Sequence, residues 1–345
     1  MNALNRLRAF TACELLNESF PEREDVIEPW LRTEETAVIW AASGVGKTFL
    51  SLSIALAVAG GGSVGPWTAP KARRVLLVDG EMHSADLQDR IRFLLNSGAV
   101  KVPNRDLALR NLRIIARQAQ KVGTGFFDMC EDDDQKGLLA MVQGTAELVI
   151  LDNLTTLSEG LEDENDATKF KPLQAFFMEL KRAKVATILV HHSNKSGRDM
   201  RGSTALETTF EVILGLRRLD LVAHDGAAFV AEFTKFRGKR DRRTEPQAWK
   251  LKDGAWETAE AEPESAKDYP AVKALRTGDY ATHAEIARAI GKDRSTVTRQ
   301  LKAAKIAKAL TDRTISELFE LAREKRNGRP VFETDDLEPA SQEEW

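Results

Sequence analysis

The chain has 345 residues, 42% hydrophobic and 30% charged, with a formal net charge of -3. That length suits about two domains of ordinary globular composition, and no apolar run approaches the roughly 18 residues of a membrane span. The opening MNALNRLRAFTACELL lacks a charged-then-apolar leader pattern, so a cytoplasmic protein with no membrane partner is expected. Cys13 and Cys130 lie far apart without CxxC spacing, which argues against a zinc site or a disulfide framework and leaves both as expected packing residues.

Residues 1–30 carry helical periodicity broken at Pro21, a lead-in to the first strand, TAVIW at 36–40. The loop AASGVGKT and the apolar run FLSLSIALAVAGG follow, so strand, loop and helix come in the order of a phosphate-binding unit. Further β-branched runs, VLLVDGE (75–81), ELVILDN (147–153) and ATILVHH (186–192), are separated by helical patterns, one of which places Phe170, Leu173, Phe176, Phe177 and Leu180 on one face. Such alternation predicts an α/β fold with a mostly parallel central sheet. The runs TTFEVILGLRRL and AFVAEFTKFR predict late strands, after which WKLKDGAWETAEAEPESAKDYP loses periodicity. The expected division is a core at 1–255, a linker at 256–269, a helical module at 270–330 and an acidic tail at 331–345.

The loop matches GxxxxGK[ST] from Ala41 to Thr48, with Ala41 replacing the first glycine. In this pattern loop N–H groups cradle phosphates, the lysine reaches the outer phosphates and the hydroxyl ligates Mg²⁺. The nucleotide-binding candidates are therefore Ser43, Gly44, Val45, Gly46, Lys47, Thr48 and Phe49. Ala41 is tolerable if it ends the strand at negative φ. Magnesium also needs a carboxylate on a neighbouring strand end, which Asp152 supplies, making Thr48 and Asp152 the expected Mg²⁺ ligands for ATP. Hydrolysis needs a base for the attacking water, and Glu81, 34 positions beyond Lys47 on a second strand end, is favoured over Asp79. Of His191 and His192, strand alternation lets a single one face the nucleotide.

These strand ends, with GVGKT, VDGEM, ILDN, the acidic stretch DENDA (163–167) and VHHSNKSGRDMRGSTALE, together resemble the RepA-type hexameric replicative helicases and their relatives in the RecA-like superfamily of P-loop ATPases, over roughly residues 14–245. The resemblance implies a RecA-like core in which Glu81 is the catalytic base and His192 the sensor of the terminal phosphate. It also implies ring assembly, with Lys235 and Arg237 of FTKFRGK reaching a neighbour's ATP as trans-acting fingers. Lys195, Arg198 and Arg201, after the sensor strand, would then face the ring channel and touch phosphates of single-stranded DNA. The acidic stretch SEGLEDENDA departs from that picture, because acids repel a DNA backbone.

Residues 266–330 carry 15 Lys/Arg against 8 Asp/Glu, while 331–345 carry 6 acids and no base. Within the basic stretch, AEIARAI, Gly291 and RSTVTRQLKAA read as a small α-helical, winged helix-turn-helix domain. Arg294, Ser295, Thr296, Thr298 and Arg299 are its candidates for major-groove contact, with Lys292 and Lys302 nearer phosphates. The leading expectation is a DNA-associated homo-oligomeric ATPase of replication, a plasmid or phage helicase coupling ATP hydrolysis to movement along single-stranded DNA beside other replication proteins. The alternative is a non-translocating, ATP-switched regulator or helicase loader that binds duplex DNA. A partition ATPase fits less well because Ala42 stands where its P-loop carries a second lysine, and a small-molecule kinase would need an acceptor site and a lid that the sequence does not suggest.

Overall fold

The computed structural model describes residues 8–159, 161, 170–194, 200–201, 208–219, 226–261, 266–306 and 309–326. Lys195, Arg198, the 163–167 acidic stretch and the 331–345 tail lie outside these residues. The chain divides into two compact units, Met1–Ala261 and Glu262–Trp345.

The first unit is built on one nine-stranded sheet: β1 (Thr36–Ala41), β2 (Val75–Asp79), β3 (Leu112–Ala116), β4 (Leu148–Asp152), β5 (Ala186–His192), β6 (Val212–Arg218), β7 (Ala228–Phe236), β8 (Gln247–Lys252) and β9 (Ala255–Glu260). Their order is β9-β8-β7-β6-β1-β5-β4-β2-β3. The six strands from β6 to β3 are parallel, and β7, β8 and β9 extend the sheet antiparallel. The architecture is thus α/β with a mostly parallel central sheet, and β5 lies between the P-loop strand β1 and the Asp152 strand β4.

β1, β2 and β4 are buried along their whole length because helices cover both faces. Side chains alternate between two cores: Ala37, Ile39 and Ala41 join the one that includes α1 (Lys47–Gly60), while Val38 and Trp40 join the one that includes α4 (Lys171–Arg182). Of the face predicted for α4, Leu173, Phe176, Phe177 and Leu180 are buried within the helix and Phe170 just before it, each contributing roughly 1.5–3 kcal/mol of apolar burial. Two further helices are α2 (Ser84–Ser97), after β2, and α3 (Asp132–Val142), before β4.

Two expectations need correction. The linker does not begin at 256, because Ala255–Glu260 is β9, hairpin-paired to β8 through Asp253 and Gly254, both at positive φ. Asp-Gly between two strand-like runs signals a two-residue type I′ turn, and Trp249 and Leu251 point into the core on alternate positions. Cys13 is not a packing residue: it lies in a short helix, Ala12–Asn17, with no buried residue. Cys130 is half-buried and packs against the α4-side core.

Among its described residues the second unit holds four α-helices: α5 (Pro270–Arg276), α6 (His283–Ala289), α7 (Arg294–Ile306) and α8 (Asp312–Arg326). They close on a small core of Val272, Leu275, Ile286, Val297, Leu301 and Leu318, among others. Its described residues contain no strand, so the wing expected from the sequence is not formed by them.

Candidate active site

Parallel strands direct their carboxyl ends to one edge, where ligands of open α/β sheets bind. Here β1, β2, β4 and β5 deliver Ala41, Asp79, Asp152 and His192 to that edge in register: Asp79 pairs with Asp152, Asp152 with Val190, and His192 with Ala41. Above them lies a cleft of about 370 Å³ lined by Ser43, Gly44, Gly46, Lys47, Thr48, Phe49, Asp79, Glu81, Asp152, Asn153 and His192, with Met82, His83, Asp86, Arg90 and Gly226 on its walls.

The loop between β1 and α1 turns through Gly44 (φ 73°) and Gly46 (φ 120°). Ala41 closes β1 and is not among the residues at positive φ, so the sequence needs no glycine there. A Cβ at Gly46 would come within 2.5 Å of the Ala227 Cβ, so this position requires glycine for space as well as for its dihedral. Gly46 is also the N-cap of α1 and makes no side-chain cap bond, and no acid lies in the first turn. The N–H groups at that terminus, together with the helix dipole, form an anion site. Val45 has a buried side chain in the core, so its part in the loop is through its main chain.

Lys47 is buried, and its Nζ donates to the carbonyls of Ala41 and Ala42 at 3.0 and 3.1 Å. It also lies 3.3 Å from His192 Nδ1. Burial pulls the Lys47 pKa down, opposed by Asp152 and Glu81. His192 is likewise held below its ordinary value, by burial first and then by Lys47, so its neutral ring accepts from the ammonium. His191 points to the other face: it is buried, its Nε2 meets the Arg201 carbonyl at 2.7 Å, and burial pushes its pKa down to about 4.

Asp152 is buried, and burial reinforced by the nearby Asp79 carboxylate raises its pKa to about 7. Ser51 Oγ donates to it at 3.2 Å. A hard divalent cation would favour the ionised form of such a carboxylate, and Asp152 with the Thr48 hydroxyl gives the oxygen donors that Mg²⁺ prefers. Among the described residues no group of three or more His, Cys, Asp or Glu could hold a metal. Two protein oxygen donors suit an ion that arrives with phosphate oxygens.

Asp79 and Glu81, the rivals for the base, are separated by their surroundings. Asp79 Oδ1 accepts the main-chain N–H groups of Glu81 and Met82 at 3.2 and 2.7 Å, which fixes the turn after β2. Glu81 extends into the cleft, and its Oε2 accepts from Asn153 Nδ2 at 2.6 Å.

The family described as an AAA domain (AAA_25) matches residues 3–198, more than half of the chain. The chain belongs to this family. The crystal structure of the RadB recombinase and that of the KaiC-like protein PH0186 from the hyperthermophilic archaeon Pyrococcus horikoshii OT3 are similar in fold. Each is 14% identical, with a TM-score of 0.47, over 68% of this chain and 93% of the other. No curated protein matches the chain.

Other residues that the sequence suggested fall elsewhere. Lys235 lies on β7 opposite Ile213, and Arg237 follows the strand's end. Both sit toward the amino-terminal end of β1, away from the P-loop, and neither lines the cleft of its own chain. Arg201 is exposed, and its main chain is tied to β5 through His191 and through a 3.1 Å bond from its N–H to the His192 carbonyl.

Sequence reading missed Ser51, Asn153, Arg90 and Arg218. Arg90 lies 4.6 Å over the Phe49 ring on the cleft wall, and Arg218 donates to the Ser43 carbonyl at 2.9 Å, bracing the P-loop from β6. Ser51 carried a usable signal: a hydroxyl one turn beyond Lys47 faces the same strand ends as the lysine.

In the helical unit, Asp293 caps α7: its carboxylate accepts from Thr296 N–H and from the hydroxyls of Ser295 and Thr296 at 2.7, 2.5 and 2.9 Å. These bonds hold the Asp293 pKa well below the carboxylate range. The Thr298 hydroxyl meets the Arg294 carbonyl and His283 Nδ1, both at 3.0 Å. The hydroxyls expected to read DNA thus already have partners inside the unit, while the Arg294 and Arg299 side chains are exposed on α7. Part of the basic excess is also used internally, since Arg326 pairs with Glu285 and Lys325 with Asp279.

Proposed function

We propose that the cleft binds and hydrolyses Mg-ATP and that the assembled protein couples this to DNA, as a RepA-like replicative helicase would. The observation that carries the reading is the convergence of Lys47, Thr48, Asp152, Glu81 and His192, from four strand ends, on one cleft at the N-terminus of α1. The loop N–H groups and Lys47 hold the phosphate tail, Lys47 exchanging its carbonyl partners for phosphate oxygens. Mg²⁺ held by Thr48 and Asp152 would neutralise charge on the phosphates. Glu81 accepts a proton from water as the water oxygen bonds to the terminal phosphorus. The bond from that phosphorus to the bridging oxygen breaks, its electron pair leaves with ADP, and inorganic phosphate is the second product. His192, in contact with Lys47 before phosphate arrives, registers the presence or loss of the terminal phosphate.

Assembly is supported by two observations. Lys235 and Arg237 lie away from their own cleft, where a neighbouring chain could use them. Leu15, Leu16, Phe20, Leu109 and Ile114 are large apolar side chains left exposed, and exposed apolar surface favours association. A hexameric ring in the cytoplasm, working with other replication proteins, completes this reading. Among the described residues no helix is long and apolar enough to cross a membrane.

The second reading, a loader or regulator acting on duplex DNA, is favoured by the exposed arginines of α7. Steady-state ATPase assays with single-stranded and with duplex DNA at fixed low salt distinguish the two. The helicase reading expects several-fold stimulation by the single strand, falling steeply with salt. Stimulation by duplex alone favours the loader, and indifference to both kinds of DNA counts against each.

A further inference from the structure

The geometry points to Asn153 as a positioning residue that holds the Glu81 carboxylate for attack by water. This inference rests on the reading of Glu81 as the base, and it adds a residue with no place in the P-loop pattern.

Glu81 is exposed, and a glutamate side chain in that setting keeps much of its rotamer freedom. A base that must meet one water beside one phosphorus cannot use most of those rotamers, and a displacement of about 1 Å can cost on the order of 100-fold in rate. Two anchors remove the freedom. Asp79 holds the Glu81 main chain through its N–H. Asn153, 2% exposed, holds the carboxylate through the 2.6 Å bond from Nδ2 to Oε2.

The orientation of the Asn153 amide follows from its other contacts. Its Oδ1 accepts the Thr156 N–H at 3.2 Å, capping the short 3₁₀ turn Leu154–Thr156. With the oxygen turned toward that N–H, the NH₂ group is the end presented to Glu81. The turn is itself wedged against the end of β2. The Gly80 N–H donates to the Asp152 carbonyl at 2.8 Å, and a Cβ at Gly80 would stand 2.3 Å from Thr156 Oγ1. Asn153 therefore reaches Glu81 from a backbone with little room to shift. With Oε2 engaged, Oε1 is the oxygen that accepts the water proton.

Two substitutions separate this role from the cap. Asn153→Asp is isosteric and keeps the acceptor for Thr156 N–H, but replaces the donor facing Glu81 by a carboxylate. Asn153→Ser keeps a capping oxygen and removes the contact without adding charge. In the full chain both are expected to lower kcat at saturating Mg-ATP by about 10-fold or more, Asp more than Ser. The Kd for a fluorescent ATP analogue with Mg²⁺ should stay within about 2-fold. Wild-type kcat in Asn153→Ser overturns the proposal, as does a fall in kcat matched by an equal fall in nucleotide affinity, which would place Asn153 in the fold or the binding site. Glu81→Gln distinguishes the two levels. If it is inactive while Asn153→Ser is unimpaired, the positioning role alone fails; if Glu81→Gln still turns over, the base assignment fails and the positioning role with it.

Discussion

Asp152→Asn is expected to lower ATP turnover by about 100-fold or more and at the same time to raise the melting temperature of the nucleotide-free first unit at pH 8. The activity loss follows from removing the one charged ligand proposed for Mg²⁺. The stability gain follows from linkage. Burial and the neighbouring Asp79 raise the Asp152 pKa from 3.8 to about 7, so below the unfolded value the carboxyl is protonated in both states and costs nothing. As pH rises through the folded value the native interior must accept the charge, and stability is lost. Asparagine has no charge to accept, keeps the shape and can still bond Ser51. The gain should be on the order of 3–5 °C at pH 8 and should vanish near pH 4. Mg-ATP should raise the wild-type melting temperature and affect the variant less, because ligand binding stabilises the state it binds. A variant that melts lower than wild type at pH 8, or that still turns over, contradicts the placement of Asp152 as a desolvated metal ligand.

The second large effect concerns the basic pair beyond β6. A chain carrying Lys235→Ala and Arg237→Ala keeps a whole cleft, and a chain carrying Lys47→Ala keeps whole fingers. Each alone is expected to lose about 100-fold or more in kcat. Mixed in equal amounts and allowed to exchange subunits, they should recover roughly a quarter of wild-type activity. In a head-to-tail ring, half of the interfaces present a competent cleft and half of those face competent fingers. If the finger variant alone keeps full activity, or the mixture stays inactive although the chains exchange, the pair does not act between subunits.

Much of the core could be read in the sequence because local pattern and tertiary role coincide there. A buried parallel strand is a short β-branched run, its carboxyl end is where polar residues resume, and GVGKT, VDGE, ILD and VHH each mark such an end. Ser51 and Asn153 were harder, because what matters is the facing element: Ser51 meets Asp152 across 101 positions and Asn153 meets Glu81 across 72. The outer strands were missed for a different reason. β3 is a sheet edge whose Arg113 and Ile114 are exposed, so its run lacks the continuous apolar character of a buried strand. β9 is exposed along most of its length and reads as a linker, although Trp256 is half-buried and donates to Ser53 of α1 at 3.0 Å. In the helical unit, the position of Ser295 and Thr296 in the first turn of α7 was legible. Their engagement by Asp293 was equally so in principle, since an aspartate followed three positions later by threonine at a helix start is a capping signal.

The central claim, that this cleft hydrolyses Mg-ATP with Lys47 on the phosphates, is tested most directly by the steady-state rate of phosphate release from Mg-ATP by the purified full chain and by its Lys47→Ala variant, with melting temperatures recorded for both. The account predicts turnover by the wild type and a loss of about 1000-fold or more in kcat/KM for the variant, with the fold retained. Full activity in a folded Lys47→Ala chain, or a wild type that binds Mg-ATP without cleaving it under any DNA condition, would contradict it.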